Sequence, residues 1–156
     1  MQIPDNVIYF LEKQGVVIVS TMDEKGNIHC SVKGIVGIEK QGRVFVVDLY
    51  LHKTFENLKQ NPRVSITAVD EHKFEGYTMQ GKGKVVLSEK IKGSLALNWE
   101  KRTIERISRR VLKSVQSGVK SKSHFEAELP AVPAYLIEID AEKIIDLSPP
   151  CMRESR

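Results

Sequence analysis

His52-Lys53-Thr54 places an imidazole, an ammonium and a hydroxyl side by side, just after an apolar run and just before a short helical pattern. The first turn of an α-helix leaves backbone N–H groups without intrahelical acceptors, so basic and hydroxyl side chains there make an anion site suited to a phosphate. A second role fits the same residues: Thr54 as a plain N-cap with its hydroxyl on the N–H of Asn57, and Lys53 as a solvated charge. The helix stops at Asn61-Pro62, because the residue before a proline is pushed out of helical geometry. The elements on either side have to decide between the two roles.

Other reactive side chains point to less. His29, His72 and His124 stand at no ligand spacing with another His, Cys or carboxylate, so no metal is expected. His29 and Cys30 are neighbours in a strand and face opposite ways. Cys30 and Cys151 lie at opposite ends of the sequence and read as reduced thiols of a cytoplasmic protein. No serine or cysteine has the neighbours of an activated nucleophile. Arg102, Arg106, Arg109 and Arg110 form a basic helical face that could meet nucleic acid or an acidic partner, with a solvated face the commoner role; no interleaved aromatics accompany them for single-strand stacking.

The chain has 156 residues, 41% of them apolar, which suits a single domain over 1–156 with an ordinary core. Its formal charge of +4 is compatible with an anionic ligand and far from the dense basic patches of nucleic-acid binders. The N-terminus lacks a basic region followed by a long apolar core, and no apolar run is long enough to span a membrane. A soluble, untargeted protein is expected.

The elements that must position His52-Lys53-Thr54 can be read in order. Apolar Val7, Ile8, Phe10 and Leu11 predict a helix over 5–14, with Pro4 at its start and Gly15 at its stop. Val16 to Thr21 is a β-branched strand followed by the turn Asp23-Glu24-Lys25-Gly26-Asn27. Ile28 to Ile38, interrupted by Gly34 and Gly37, is a long bent strand. With Arg43 to Asp48 these strands form a meander. After the short helix come strands at Arg63–Asp70 and Tyr77–Leu87, the second bent by Gly81 and Gly83. Past Ser88 the period turns helical: Leu97, Ile104, Ile107, Val111, Leu112, Val115 and Val119 are expected to face one way, and Arg102, Arg106, Arg109, Arg110 and Lys113 outward. Residues 121–133 read as loop and Ala134–Asp140 as a sixth strand, with Ser148-Pro149-Pro150 ending regular structure. Parallel pairs need long crossovers, which these connections are too short to provide, so the sheet is expected to be antiparallel and curled.

Three stretches look like a known family: Val19-Ser20-Thr21 with its Asp23-to-Asn27 turn; His52-Lys53-Thr54 with Asn57-Leu58 and Asn61-Pro62-Arg63-Val64-Ser65; and Gly81 followed by Val85-Val86. In them the chain resembles the flavin mononucleotide (FMN)-binding split barrels of the pyridoxamine 5′-phosphate oxidase-like superfamily. It looks especially like the small bacterial flavin-binding proteins of that fold. The likeness covers residues 7 to 90 and the remainder in outline. It implies a mainly β protein with peripheral helices: a six-stranded antiparallel split β-barrel with Greek-key-like closure.

The resemblance further implies FMN as cofactor and a homodimer with the flavin ring in the subunit groove. Lys53 and Thr54 would hold the phosphate, with His52 beside them. Ser31, Val32 and Lys33 would run along the flavin, Lys33 favouring its reduced anion. Val47, Asp48, Leu49 and Tyr50 would approach the ring and ribityl chain through backbone groups, although Ser31 and Asp48 could equally be outward-facing strand residues. Trp99 and Tyr135 are candidates for stacking or interface contacts, with plain core the commoner role. An oxidoreductase or electron carrier follows; a flavin store or sensor, or a barrel for deazaflavin or haem, is the alternative. Against the named oxidase, His52 replaces an arginine, Gly76 stands near a flavin-contacting glutamine, and no C-terminal Arg-Leu-Pro-like segment is present. Oxidation of pyridoxine phosphate itself is therefore not expected.

Overall fold

A computed structural model describes residues 1–91, 93–117 and 133–153. Helix α1 (Asp5–Gln14) leads into strands β1 (Val16–Met22), β2 (Ile28–Glu39) and β3 (Arg43–Asp48), then helix α2 (Lys53–Gln60). Strands β4 (Arg63–Asp70) and β5 (Glu75–Leu87) follow. A single 3₁₀ turn at Ser88–Lys90 precedes helix α3 (Gly93–Ser117), strand β6 (Tyr135–Asp146) and a last short helix, α4 (Pro150–Arg153). The strands close into a barrel in the order β1-β2-β3-β6-β5-β4, every pairing antiparallel. The chain's last strand is thus inserted between the third and the fifth, which is the Greek-key-like closure expected.

Alternation along the strands decides what fills the barrel. In β1, Val17, Val19 and Thr21 are buried while Val16 and Ile18 face out. β3 is buried on both sides: Val44 and Val46 join the barrel core, and Phe45 and Val47 pack outside it with Trp99 and Leu136 under α3. Two-sided burial explains why β3 reads as a continuous apolar run. α1 packs onto the barrel through Val7, Phe10 and Leu11 and ends at Gly15, whose N–H reaches the Leu11 carbonyl.

Register shifts between Ile35 and Gly37 and between Gln80 and Gly81 bend β2 and β5. At Gly81 a Cβ would overlap the Asp140 carbonyl, so only glycine lets β5 and β6 approach there.

Three expectations are corrected. β6 extends to Asp146, because the long β5 supplies ladder partners from Leu87 back to Tyr77. The charged Glu142 that blurs its pattern points outward to Arg63 and Lys82, 3.5 and 3.7 Å away. Ser148-Pro149-Pro150 does not end regular structure, since Pro150 opens α4 with its missing N–H in a position that needs none. In α3 the side that meets the barrel carries Leu95 and Trp99, with Asn98 Nδ2 donating to the Val36 carbonyl at 3.2 Å. Leu97, Ile104 and Leu112 are exposed and Arg102 is half-buried, because the described side chains that pack on the barrel, Leu95 and Trp99, lie on another side of the helix. The loop expected at 121–133 lies outside the described residues except Pro133, as do His124 and the side chains of Arg106, Ile107, Arg109, Arg110, Val111, Lys113, Val115 and Val119.

Candidate functional site

At one end of the barrel, inward-facing side chains of β1, β2, β3 and β6 are polar, and α2 lies across them. β3 ends at Asp48, Tyr50 and Leu51 emerge into solvent, and the His52 N–H returns to the Tyr50 carbonyl at 2.9 Å. α2 then starts at Lys53. Its first intrahelical bond runs from Glu56 N–H to the His52 carbonyl at 3.1 Å, so the N–H groups of Lys53, Thr54 and Phe55 precede the ladder. His52 occupies the cap position without a side-chain cap bond.

Three contacts fix this helix over the barrel end. Leu58 enters the core, Phe55 meets the Tyr135 ring edge-on with centroids 5.2 Å apart, and Asn57 Nδ2 donates to Thr21 Oγ1 at 3.0 Å. Asn57 and Thr21 are both buried, so the bond joins two groups that would otherwise be left without water or partner. Thr54 is not the N-cap: it is 3% exposed, and its hydroxyl meets that of Ser31 on β2 at 3.1 Å. Two hydroxyls thus stand together beside the first-turn amides.

Lys53 is half exposed, and its Nζ lies 4.0 Å from Asp23 Oδ2 in the β1–β2 turn. Asp23 accepts from the Asn27 N–H at 2.8 Å, the Lys25 N–H at 2.9 Å and Asn27 Nδ2 at 3.2 Å. Those bonds, the Asn27 backbone first, hold its carboxyl below the ordinary range, with Lys53 adding to the effect. The sequence places Asp23 in a turn but does not join it to the helix; it lies 30 positions before Lys53, and only barrel closure brings the turn to the helix.

Behind the hydroxyl pair sits a buried ion pair. Lys33, two residues beyond Ser31 on the same face of β2, places its Nζ 2.6 Å from Asp48 Oδ2. The two side chains are 10% and 5% exposed. Asp48 Oδ2 also accepts from the Tyr135 hydroxyl, and Oδ1 accepts from the Tyr50 N–H at 3.3 Å. Burial, then the Asp48 carboxylate, pushes the Tyr135 phenol far above its usual range. Ser31 and Asp48 are therefore inward-facing, not outward strand residues, and Tyr135 and Trp99 are core, 0% and 3% exposed.

The remaining expected site residues scatter around this end. Val47 is buried and Leu49 half-buried under α3, so only their backbones could serve a ligand at the mouth. Val32, Tyr50 and His52 are exposed, the Tyr50 and His52 rings lying 6.0 Å apart. Ser31 and Thr54 come together beside the first-turn amides, while the Lys53 ammonium turns to Asp23 and the Lys33 charge to Asp48. Gly76 cannot stand in for the glutamine of the oxidase, since a Cβ there would lie 2.6 Å from Val69 Cγ1 and 3.0 Å from the Ala68 carbonyl. Among the described residues no group of three or more His, Cys, Asp or Glu converges as a metal site.

The family model described as pyridoxamine 5′-phosphate oxidase matches residues 3–144. Solved structures similar to the chain include HupZ from Group A Streptococcus, 17% identical, with 94% of this chain and 95% of that one covered and a TM-score of 0.61. A Clostridium acetobutylicum protein related to general stress protein 26, of the pyridoxinephosphate oxidase family, is 15% identical over 92% of each chain, with a TM-score of 0.56. HutZ, the haem storage protein of Vibrio cholerae, is 18% identical over 93% and 94%, with a TM-score of 0.54. At such identities the likeness is one of fold. No curated protein matches the chain.

Proposed function

We propose that this chain, which belongs to the pyridoxamine 5′-phosphate oxidase family, is an FMN-binding flavoprotein that works as a cytoplasmic homodimer in electron or hydride transfer. The observation that carries the reading is the Ser31–Thr54 hydroxyl pair, at 3.1 Å, beside the first-turn N–H groups of α2, with Lys53 next to Thr54 in the chain. Lys53 supplies charge, the hydroxyls and amides supply direction, and the helix N-terminus favours an anion. A bound flavin would supply the reversible uptake of electrons. The chain's own part is to hold the phosphate at α2 and to present the backbone of Val47 to Tyr50, with Val32 and His52, to the rest of the ligand.

A second copy has a surface to meet. On the outer face of β1 and β2, the cross-strand pairs Ile18–Val32 and Met22–Ile28 leave Ile18 41%, Val32 71%, Met22 38% and Ile28 74% exposed. Val16 and Val69 continue this uncharged face. Exposed apolar residues gathered on one face in this way mark an association face, on the side of β2 opposite to Ser31 and Lys33.

The test is the absorption spectrum of the purified protein, followed by titration of the ligand-free form with FMN. Flavin bands, or quenching of flavin fluorescence on titration, support the reading. A colourless protein that neither quenches nor shifts added FMN refutes it. The likeness to the Vibrio cholerae haem storage protein supports haem as the second reading, and a haem band in the same spectrum would favour it. Turnover with reduced nicotinamides and common acceptors separates an enzyme from a flavin store or sensor.

A further inference from the structure

The buried pair behind the anion site asks for a role. Lys33 and Asp48 are taken out of water at a cost, and Asp48 is further held by the Tyr135 hydroxyl and the Tyr50 N–H. They face the same interior as Ser31 and Thr54. Successive same-face residues on a strand are about 7 Å apart, so the Lys33 position lies close enough to Ser31 for its charge to be felt there.

We infer that Asp48, positioned by Tyr135, is a specificity-determining residue that sets the charge of the anion site by neutralising Lys33. The compensated pair leaves the phosphate of a ligand to Lys53, the two hydroxyls and the α2 amides. An uncompensated Lys33 would over-bind any phosphorylated ligand, and an uncompensated Asp48 would repel it. The site's preference for a phosphorylated over an unphosphorylated flavin is therefore held at an intermediate level by a carboxylate that does not touch the phosphate. This inference rests on the phosphate reading of the site and adds the device that regulates it.

The experiment is the ratio of riboflavin to FMN dissociation constants, measured by flavin fluorescence quenching on the ligand-free full chain and its variants. At an effective dielectric of about 20, a unit charge about 7 Å away changes affinity by roughly tenfold or more. Asp48→Asn should raise the preference for FMN by about tenfold, and Lys33→Met should lower it by about as much. Lys33→Met with Asp48→Asn, which removes both charges, should return it to within about threefold of the unmodified protein. A general loosening of the barrel end would weaken both ligands alike and would not be rescued by the second substitution. An unmodified protein that prefers FMN while Asp48→Asn leaves the ratio unchanged overturns this inference alone. A tenfold change in the double variant, which keeps the test open if a single variant does not fold, also overturns it. An unmodified protein with no preference for FMN overturns the phosphate reading and this inference together.

Discussion

Replacing Lys53 by Ala together with Thr54 by Val should separate phosphate recognition from everything else the site does. Lys53 is half exposed and already faces Asp23 at 4.0 Å, so its bond to a phosphate belongs at the low end of charged hydrogen bonds, about 1.5 kcal/mol. Thr54 is buried, and valine keeps its shape while removing the hydroxyl that meets Ser31; that loss is also about 1.5 kcal/mol. If the two add, FMN binding weakens by about 3 kcal/mol, on the order of a hundredfold. Riboflavin has the same ring and ribityl chain without the phosphate, so its affinity should stay within about threefold, the scatter expected for changes it does not touch. Fluorescence quenching measures both, and circular dichroism confirms that the variant is folded. Parallel losses for the two flavins would mean that the substitutions disturb the barrel end instead. An unchanged FMN affinity would refute the anion-site argument outright.

Other consequences are as direct. Tyr135 is held protonated in the folded chain, so stability should be intact below the ordinary tyrosine range near pH 10 and fall as pH rises above it, where the unfolded chain releases that proton first; Tyr135→Phe should flatten the fall in urea melts taken between pH 9 and 11. Gly81→Ala forces a methyl onto the Asp140 carbonyl and should cost about 2 kcal/mol or more, seen as a drop of several degrees in the melting temperature; an unchanged melting temperature would show that β5 and β6 can part there freely. Val32→Glu puts a charge in the middle of the apolar outer face and should turn a dimer into a monomer by light scattering, with the melt of each chain little changed; a dimer that survives it would place the association face elsewhere.

Much of the fold could be read along the chain because its signals are local. The β-branched runs, the turn at Asp23 to Asn27, and the stops at Gly15 and Asn61-Pro62 each act within a few residues, and the strands β1 to β5 and helices α1 and α2 fall where those signals put them. β6 was expected at half its length, since Glu142 and Lys143 break its pattern, and the β5 ladder that overrides them is distant in sequence. α3 misled for a related reason: a helix pattern records which residues share a side, but not which side the barrel touches. Leu95 and Trp99 face the barrel because Val36, Phe45 and Leu136 present an apolar surface there.

The proposed anion site divides in the same way. The sequence by itself determined the pieces: a basic pair and a hydroxyl at the start of a short helix, and a serine and a lysine two apart on a bent strand. It could not say that Thr54 turns to Ser31 and not to its own helix, that Asp23 closes over Lys53, or that Lys33 spends its charge on Asp48. Those pairings join residues 15 to 30 positions apart, and the Asp48–Tyr135 bond joins residues 87 apart. Hydrogen bonds and ion pairs are effective only over a few ångströms, so partners so far apart along the chain are chosen by barrel closure and register.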